Sequence, residues 1–67
     1  MMVKVNGVPS ETAEGATIAS LLVDLGLAES KGIAVAVNGI VTARAEWTMC
    51  RLEPGDDVLV IRATQGG

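Results

Sequence analysis

Histidine, phenylalanine and tyrosine are absent from this 67-residue chain, and cysteine and tryptophan occur once each. Without histidine, Ser-His-Asp and Cys-His catalysis, HExxH sites and zinc-finger spacings are excluded, and the lone Cys50 leaves no CxxC pair. No internal disulfide can form, which suits a reducing compartment. Cys50 reads as a small apolar filler. With Trp47 as the sole aromatic, the core must come from Val, Ile, Leu, Ala and Met. A chain this short has room for one small core.

Positive charge is also scarce. Five basic residues (Lys4, Lys31, Arg44, Arg51, Arg62) stand scattered against eight acidic ones, for a net charge of −3. Nucleic acid needs a basic patch, so it is excluded as a partner. The acidic surplus either maintains solubility or steers the protein to a basic partner. The longest strictly apolar run, Ile33–Val37, falls far short of the roughly 20 residues that span a bilayer. Met1 to Gly7 lacks the basic, apolar and small-residue segments of a secretory signal, so the cytoplasm is the expected location. Glu53, Asp56 and Asp57 do not match a calcium loop, and no glycine falls in a phosphate-binding pattern, so no metal or nucleotide is assigned to the chain.

What is present is patterned. Met1, Val3 and Val5 alternate with Met2 and Lys4, which predicts a strand over residues 1 to 6. Asn6-Gly7 predicts a tight hairpin turn into a second strand at about 8 to 13, placed at a sheet edge by Pro9. Thr17 is a candidate N-cap, and Ile18, Leu21, Leu22 and Leu25 form one apolar stripe, predicting a helix over 18 to 25. Gly26 should end it in a left-handed conformation, with Leu27 packing back onto the last turn. Ile33 to Val37 reads as a strand with Ile33, Val35 and Val37 facing the core. Asn38-Gly39 turns it into a short strand at Ile40 to Thr42. A loop bearing Arg44, Glu46 and Trp47 follows, then a turn at Glu53-Pro54-Gly55-Asp56 and a last strand, Val58 to Ile61. The order hairpin, helix, hairpin, strand predicts an α+β domain from end to end: a mixed sheet with one helix across it and a flexible tail over about 62 to 67.

Two features remain. The last strand is apolar at four successive positions although a single helix covers only one sheet face. With Val58 and Val60 inward, Leu59 and Ile61 face outward, beside Ala34 and Ala36 if their strand is adjacent. Such a patch marks a partner surface, unless the Trp47 loop covers it or the protein self-associates. The second feature is the ending, Gly66-Gly67. A terminal carboxylate is ionised at neutral pH and enters acyl chemistry only after activation, for instance as an acyl-adenylate. Glycines, lacking side chains, let such a terminus enter a narrow channel in a partner enzyme.

The ordered set of Val5-Asn6-Gly7, Thr17, Leu21-Leu22, Leu25-Gly26, Ile33-Ala34-Val35-Ala36-Val37-Asn38-Gly39, Val41, Arg44, Glu46-Trp47, Leu52, Gly55-Asp56 and Ala63 through Gly66-Gly67 resembles the ThiS family, the β-grasp, ubiquitin-like sulfur carriers of thiamine biosynthesis. The resemblance runs the whole chain. It departs at Ala43, often proline in the family, and at Thr42, often aliphatic.

The resemblance implies a carrier and co-substrate with no catalytic residue of its own. A partner adenylyltransferase of the ubiquitin-activating type (ThiF-like) would use ATP to adenylate the Gly67 carboxylate. A sulfur-donor protein would convert the adenylate to a thiocarboxylate, and thiazole synthase (ThiG-like) would accept the sulfur. The chain itself binds no cofactor. Thr64, Gln65 and Gly66 would occupy the partner channel, and Leu59, Ile61, Ala34 and Ala36 would dock the partners. The small subunit of molybdopterin synthase, a ubiquitin-like modifier joined to lysines, and a binding module without tail chemistry are the alternatives.

Overall fold

The computed structural model describes residues 1–62. In chain order these form strands β1 (Met2–Val5) and β2 (Val8–Glu11), helix α1 (Ile18–Asp24), strands β3 (Ile33–Val37) and β4 (Ile40–Thr42), a single 3-10 turn at Arg44–Glu46, and strand β5 (Asp57–Arg62).

Both Asn-Gly pairs make hairpins because both residues take positive φ, 52° and 83° at Asn6 and Gly7 and 52° and 84° at Asn38 and Gly39. The tight turns fix the registers, Val5 opposite Val8 and Val37 opposite Ile40. Pro9 lies in β2, an edge strand, where its missing N–H costs no ladder bond.

Helix α1 is held at both ends by its own sequence. Thr17 is extended, and its Oγ1 accepts the Ser20 N–H at 3.1 Å while Ser20 Oγ accepts the Thr17 N–H at 2.9 Å. This is a reciprocal capping box with serine in the position usually held by Glu or Gln. The next two orphan donors, on Ile18 and Ala19, reach the carbonyls of Cys50 and Trp47. The segment after the 3-10 turn thus anchors the helix start. At the other end the Gly26 N–H bonds the Val23 carbonyl and the Leu27 N–H bonds the Leu22 carbonyl, at 3.0 and 2.8 Å, a Schellman closure with Gly26 at φ 76°. The helix is one residue shorter than its apolar stripe predicts. Leu25 is the C-cap and is 40% exposed, because the chain turns at Gly26 before that side chain meets the sheet.

Strand β5, last in sequence, lies in the middle of the sheet. The order is β2-β1-β5-β3-β4, with β5 parallel to β1 and antiparallel to β3. α1 packs on one face, enclosing Val3, Ile18, Leu21, Leu22, Ile33, Val35, Trp47, Leu52 and Val58. Cys50 is half-buried against this cluster, in keeping with a filler role. Trp47 is a core residue on the helix side. Its indole Nε1 donates to the Thr42 carbonyl at 2.9 Å, and the Arg44 guanidinium sits 4.9 Å above its ring. The residues 44 to 47 therefore form a structured corner instead of a plain loop, and Trp47 does not shelter the opposite face.

Candidate docking face and carboxyl-terminal segment

The face of the sheet away from α1 is set by strand alternation. Ala34 pairs with Ile61 and Ala36 with Leu59 across β3 and β5, and Ala36 pairs with Val41 across β3 and β4. Since partners across a ladder share a face, Leu59, Ile61, Ala34, Ala36 and Val41 form one surface. The sequence brings the first four together as expected. Leu59 and Ile61 are 46% and 52% exposed, whereas Ala36 is buried at 8%. Ala36 is therefore the floor of this surface: its methyl is too short to rise between Leu59 and Val41, its neighbours on either side. A shallow depression of about 390 Å³ opens beside it, lined by Asn6, Gly7, Ala36, Gly39, Asp57 and Leu59.

Val41 belongs to this surface too and is 74% exposed. The signal for it was the two-residue Asn38-Gly39 turn, which pairs Val41 with Ala36 once the hairpin register is counted out from the turn. Met2 is also exposed on this face, at β1. The far side of the face is polar: Lys4 lies opposite Asp57 on one side and Pro9 on the other, and Met2 opposite Glu11. Apart from Met2, the apolar surface lies on β3, β4 and β5, with Lys4 and Glu11 on its β1 and β2 border.

The Asn38 and Asp56 side chains near this end of the sheet are committed to the fold. The Asp56 carboxylate accepts from Asn38 Nδ2 at 3.1 Å and from the Glu53 N–H at 2.8 Å, closing the Glu53 to Asp56 turn. Asn38 Oδ1 in turn accepts the Asp57 N–H. Among the described residues no group of three or more ligand-type side chains is arranged to hold a metal ion. Among the described residues no helix is long and apolar enough to cross a membrane. Arg62, expected to begin the tail, is the last residue of β5 and lies opposite Ile33. Thr64, Gln65, Gly66 and Gly67 lie outside the described residues.

A five-stranded mixed sheet with its last strand central and one helix across a single face defines the β-grasp, or ubiquitin-like, class. Within that class, the model of the ThiS family matches residues 3–67. The chain belongs to the ThiS family. A crystal structure of the thiamine biosynthesis protein ThiS from Geobacter metallireducens superposes with a TM-score of 0.85 at 32% identity, covering 100% of both chains. An NMR solution structure of a thiamine biosynthesis protein from the same organism gives a TM-score of 0.80 at 32% identity, over 100% of this chain and 88% of that one. No curated protein matches.

Proposed function

We propose that the protein is a sulfur carrier of thiamine thiazole synthesis, working through the carboxylate of Gly67. The observation that carries this reading is the family match through residue 67 on a β-grasp domain. The exposed apolar surface of β3, β4 and β5 supports it, since β5 carries Leu59 and Ile61 and leads directly to residue 63. The domain is a handle: a partner adenylyltransferase grips the sheet face and receives the terminus.

The chemistry follows from the carboxylate's ground state. Ionised and resonance-stabilised, it is a poor electrophile. Attack of its oxygen on the α-phosphorus of ATP, with release of pyrophosphate, gives an acyl-adenylate. Sulfur supplied at the sulfide level then adds to the Gly67 carbonyl carbon and AMP leaves, so a thiocarboxylate replaces the carboxylate. Thiazole synthase takes the sulfur from it. ATP is bound by the partner, and no side chain of this protein enters the reaction. The cytoplasm is the proposed site of action, where ATP and thiol donors are available.

Intact mass spectrometry of the protein isolated from its native cell tests the reading. A species heavier by the exchange of one oxygen for sulfur, located at Gly67 by fragmentation, is expected. A variant lacking Gly67 should fold normally, since the buried core ends at Val58, yet fail to support thiazole formation. Full thiazole synthesis by that variant overturns the reading. Sulfur transfer to a molybdopterin synthase large subunit and not to thiazole synthase would assign the carrier to that pathway instead.

A further inference from the structure

The middle strand outlasts its neighbour on one side. β1 ends at Val5 while β5 continues to Arg62. On the other side β3 stays paired to the end, with Ile33 opposite Arg62. Main-chain groups of the even-numbered residues of β5 face β1: the Lys4 N–H donates to the Asp56 carbonyl and the Asn6 N–H to the Val58 carbonyl, each at 2.9 Å. The odd-numbered residues face the other way, as the Asn38 N–H on the Asp57 carbonyl shows. Asn6 extends the ladder one step beyond β1 with its side chain, Oδ1 accepting the Val60 N–H at 2.8 Å. Past that point the same alternation aims the Val60 carbonyl and the Arg62 N–H and carbonyl at the space β1 vacates when it turns at Asn6-Gly7.

That space is a groove of about 390 Å³ lined by Val5, Asn6, Leu25, Leu27, Val60 and Arg62. Its walls are apolar apart from the Asn6 amide and the Arg62 guanidinium, and among the described residues no carboxylate pairs with Arg62. It explains why Leu25 stays half-exposed at the end of α1.

We propose that this notch receives an extended segment of the adenylating partner, which adds to β5 as a short strand on the side of β1. A backbone N–H of the segment donates to the Val60 carbonyl, and a backbone carbonyl accepts the Arg62 N–H. An apolar side chain enters between Leu25, Leu27 and Val60, and an acidic one meets Arg62. The row of main-chain groups with no partner among the described residues selects an extended peptide over a helix, whose own backbone groups are internally bonded. This inference rests on the carrier reading for the identity of the partner. The notch opens on the α1 side of the sheet and Leu59 and Ile61 on the other, so a partner using both clasps β5 from two sides immediately before residue 63.

Arg62→Pro tests this, with Arg62→Gln as its companion. Proline removes the Arg62 N–H, which faces away from β3, so no ladder bond within the protein is lost; glutamine removes the charge and keeps the N–H. With the purified adenylyltransferase, Arg62→Pro should bind about tenfold more weakly than Arg62→Gln, the scale of one lost main-chain hydrogen bond whose partner carbonyl stays buried. Amide exchange on the wild-type protein gives the second readout, independent of any variant's folding: the Arg62 amide should be protected in the complex and not in the free protein. A complex that forms and adenylates Gly67 while the Arg62 amide exchanges as in the free protein overturns the notch but leaves the carrier reading standing. Equal binding of the two variants does the same. Protection in the free protein that rises with concentration assigns the notch to a second copy, and protection lost on deleting residues 63–67 assigns it to the protein's own end; either outcome overturns the proposal. An enzyme that neither binds nor adenylates the wild-type protein overturns both readings.

Discussion

The side-chain oxygen of Asn6 accepts the backbone N–H of Val60 at 2.8 Å, joining residues 54 positions apart in the chain. The same residue sits at φ 52° in the first hairpin turn. Asn6 therefore does two separable things: it tolerates the left-handed backbone and it continues the β1–β5 ladder. Asn6→Gly keeps the turn and loses the bond, and should cost about 1 kcal/mol. Asn6→Ala adds the left-handed penalty and should cost about 2 kcal/mol. Urea unfolding of the three proteins gives the order; equal stabilities would show that the bond contributes nothing.

Adjacent residues of β5 should respond to substitution in opposite ways. Val58 is fully buried under α1 and Leu59 is about half-exposed on the other face. Val58→Ala should lower stability by about 2 kcal/mol through the cavity it leaves. Leu59→Lys and Ile61→Lys should stay within about 0.5 kcal/mol of wild type. Binding to the proposed adenylyltransferase partner should reverse the ranking, with the two lysine variants weakened and Val58→Ala, where folded, unaffected. Thermal unfolding and a binding titration on the same preparations check both halves.

Trp47 is the only aromatic side chain and belongs to the core, so its fluorescence reports the core alone. Its emission should shift to the red on unfolding with the same midpoint as the far-ultraviolet circular dichroism. Separate midpoints would reveal that the corner at residues 44 to 47 opens before the sheet. Trp47→Phe loses the bond to the Thr42 carbonyl and the contact with Arg44, and should cost about 2 kcal/mol.

The Met1 ammonium donates to Glu11 Oε2 at 2.8 Å and to the Thr12 carbonyl at 2.6 Å. The Glu11 hydrogen bond, reinforced by the charges of Glu11 and Glu14 and opposed by desolvation, raises its pKa above the ordinary 8.0. A raised pKa means the folded state holds this proton more tightly than the unfolded one. Its stabilising contribution is complete below pH 8.0 and is lost as pH rises through the higher folded value. Unfolding midpoints between pH 7 and 10 should fall more steeply for wild type than for Glu11→Gln. Glu11 is largely exposed, so the difference should shrink in high salt.

Local chemistry made most of this fold legible. The Asn-Gly pairs, the Thr17 cap and the Gly26-Leu27 closure each specify a conformation through one or two residues, and each stands where it was expected. The inward and outward sets on β5 followed from period-two alternation and from the adjacency of β3. What escaped depended on contacts distant in sequence. The 3-10 turn at Arg44–Glu46 is too short to show any periodicity. The burial of Trp47 depends on α1 and on the Thr42 carbonyl, and nothing in its own neighbourhood announces either. Ala36 lies on the outer face as its alternation requires, yet only the bulk of its cross-strand neighbours makes it a floor. The role proposed for Gly67 came from residue types and from the family resemblance, and Gly67 lies outside the described residues.

The central place of β5 has a consequence for synthesis. The β1–β2 and β3–β4 hairpins share no ladder with each other; each meets the rest of the sheet only through β5. As the chain leaves the ribosome, the two hairpins and the helix emerge first and have no common strand on which to assemble. Closure must await β5, and the pairing of Lys4 with Asp57 and Val5 with Val58 spans most of the chain, which slows it further. A nascent chain that stops short of β5 is left without the strand that unites its sheet. The united sheet therefore exists only on molecules whose synthesis has reached β5.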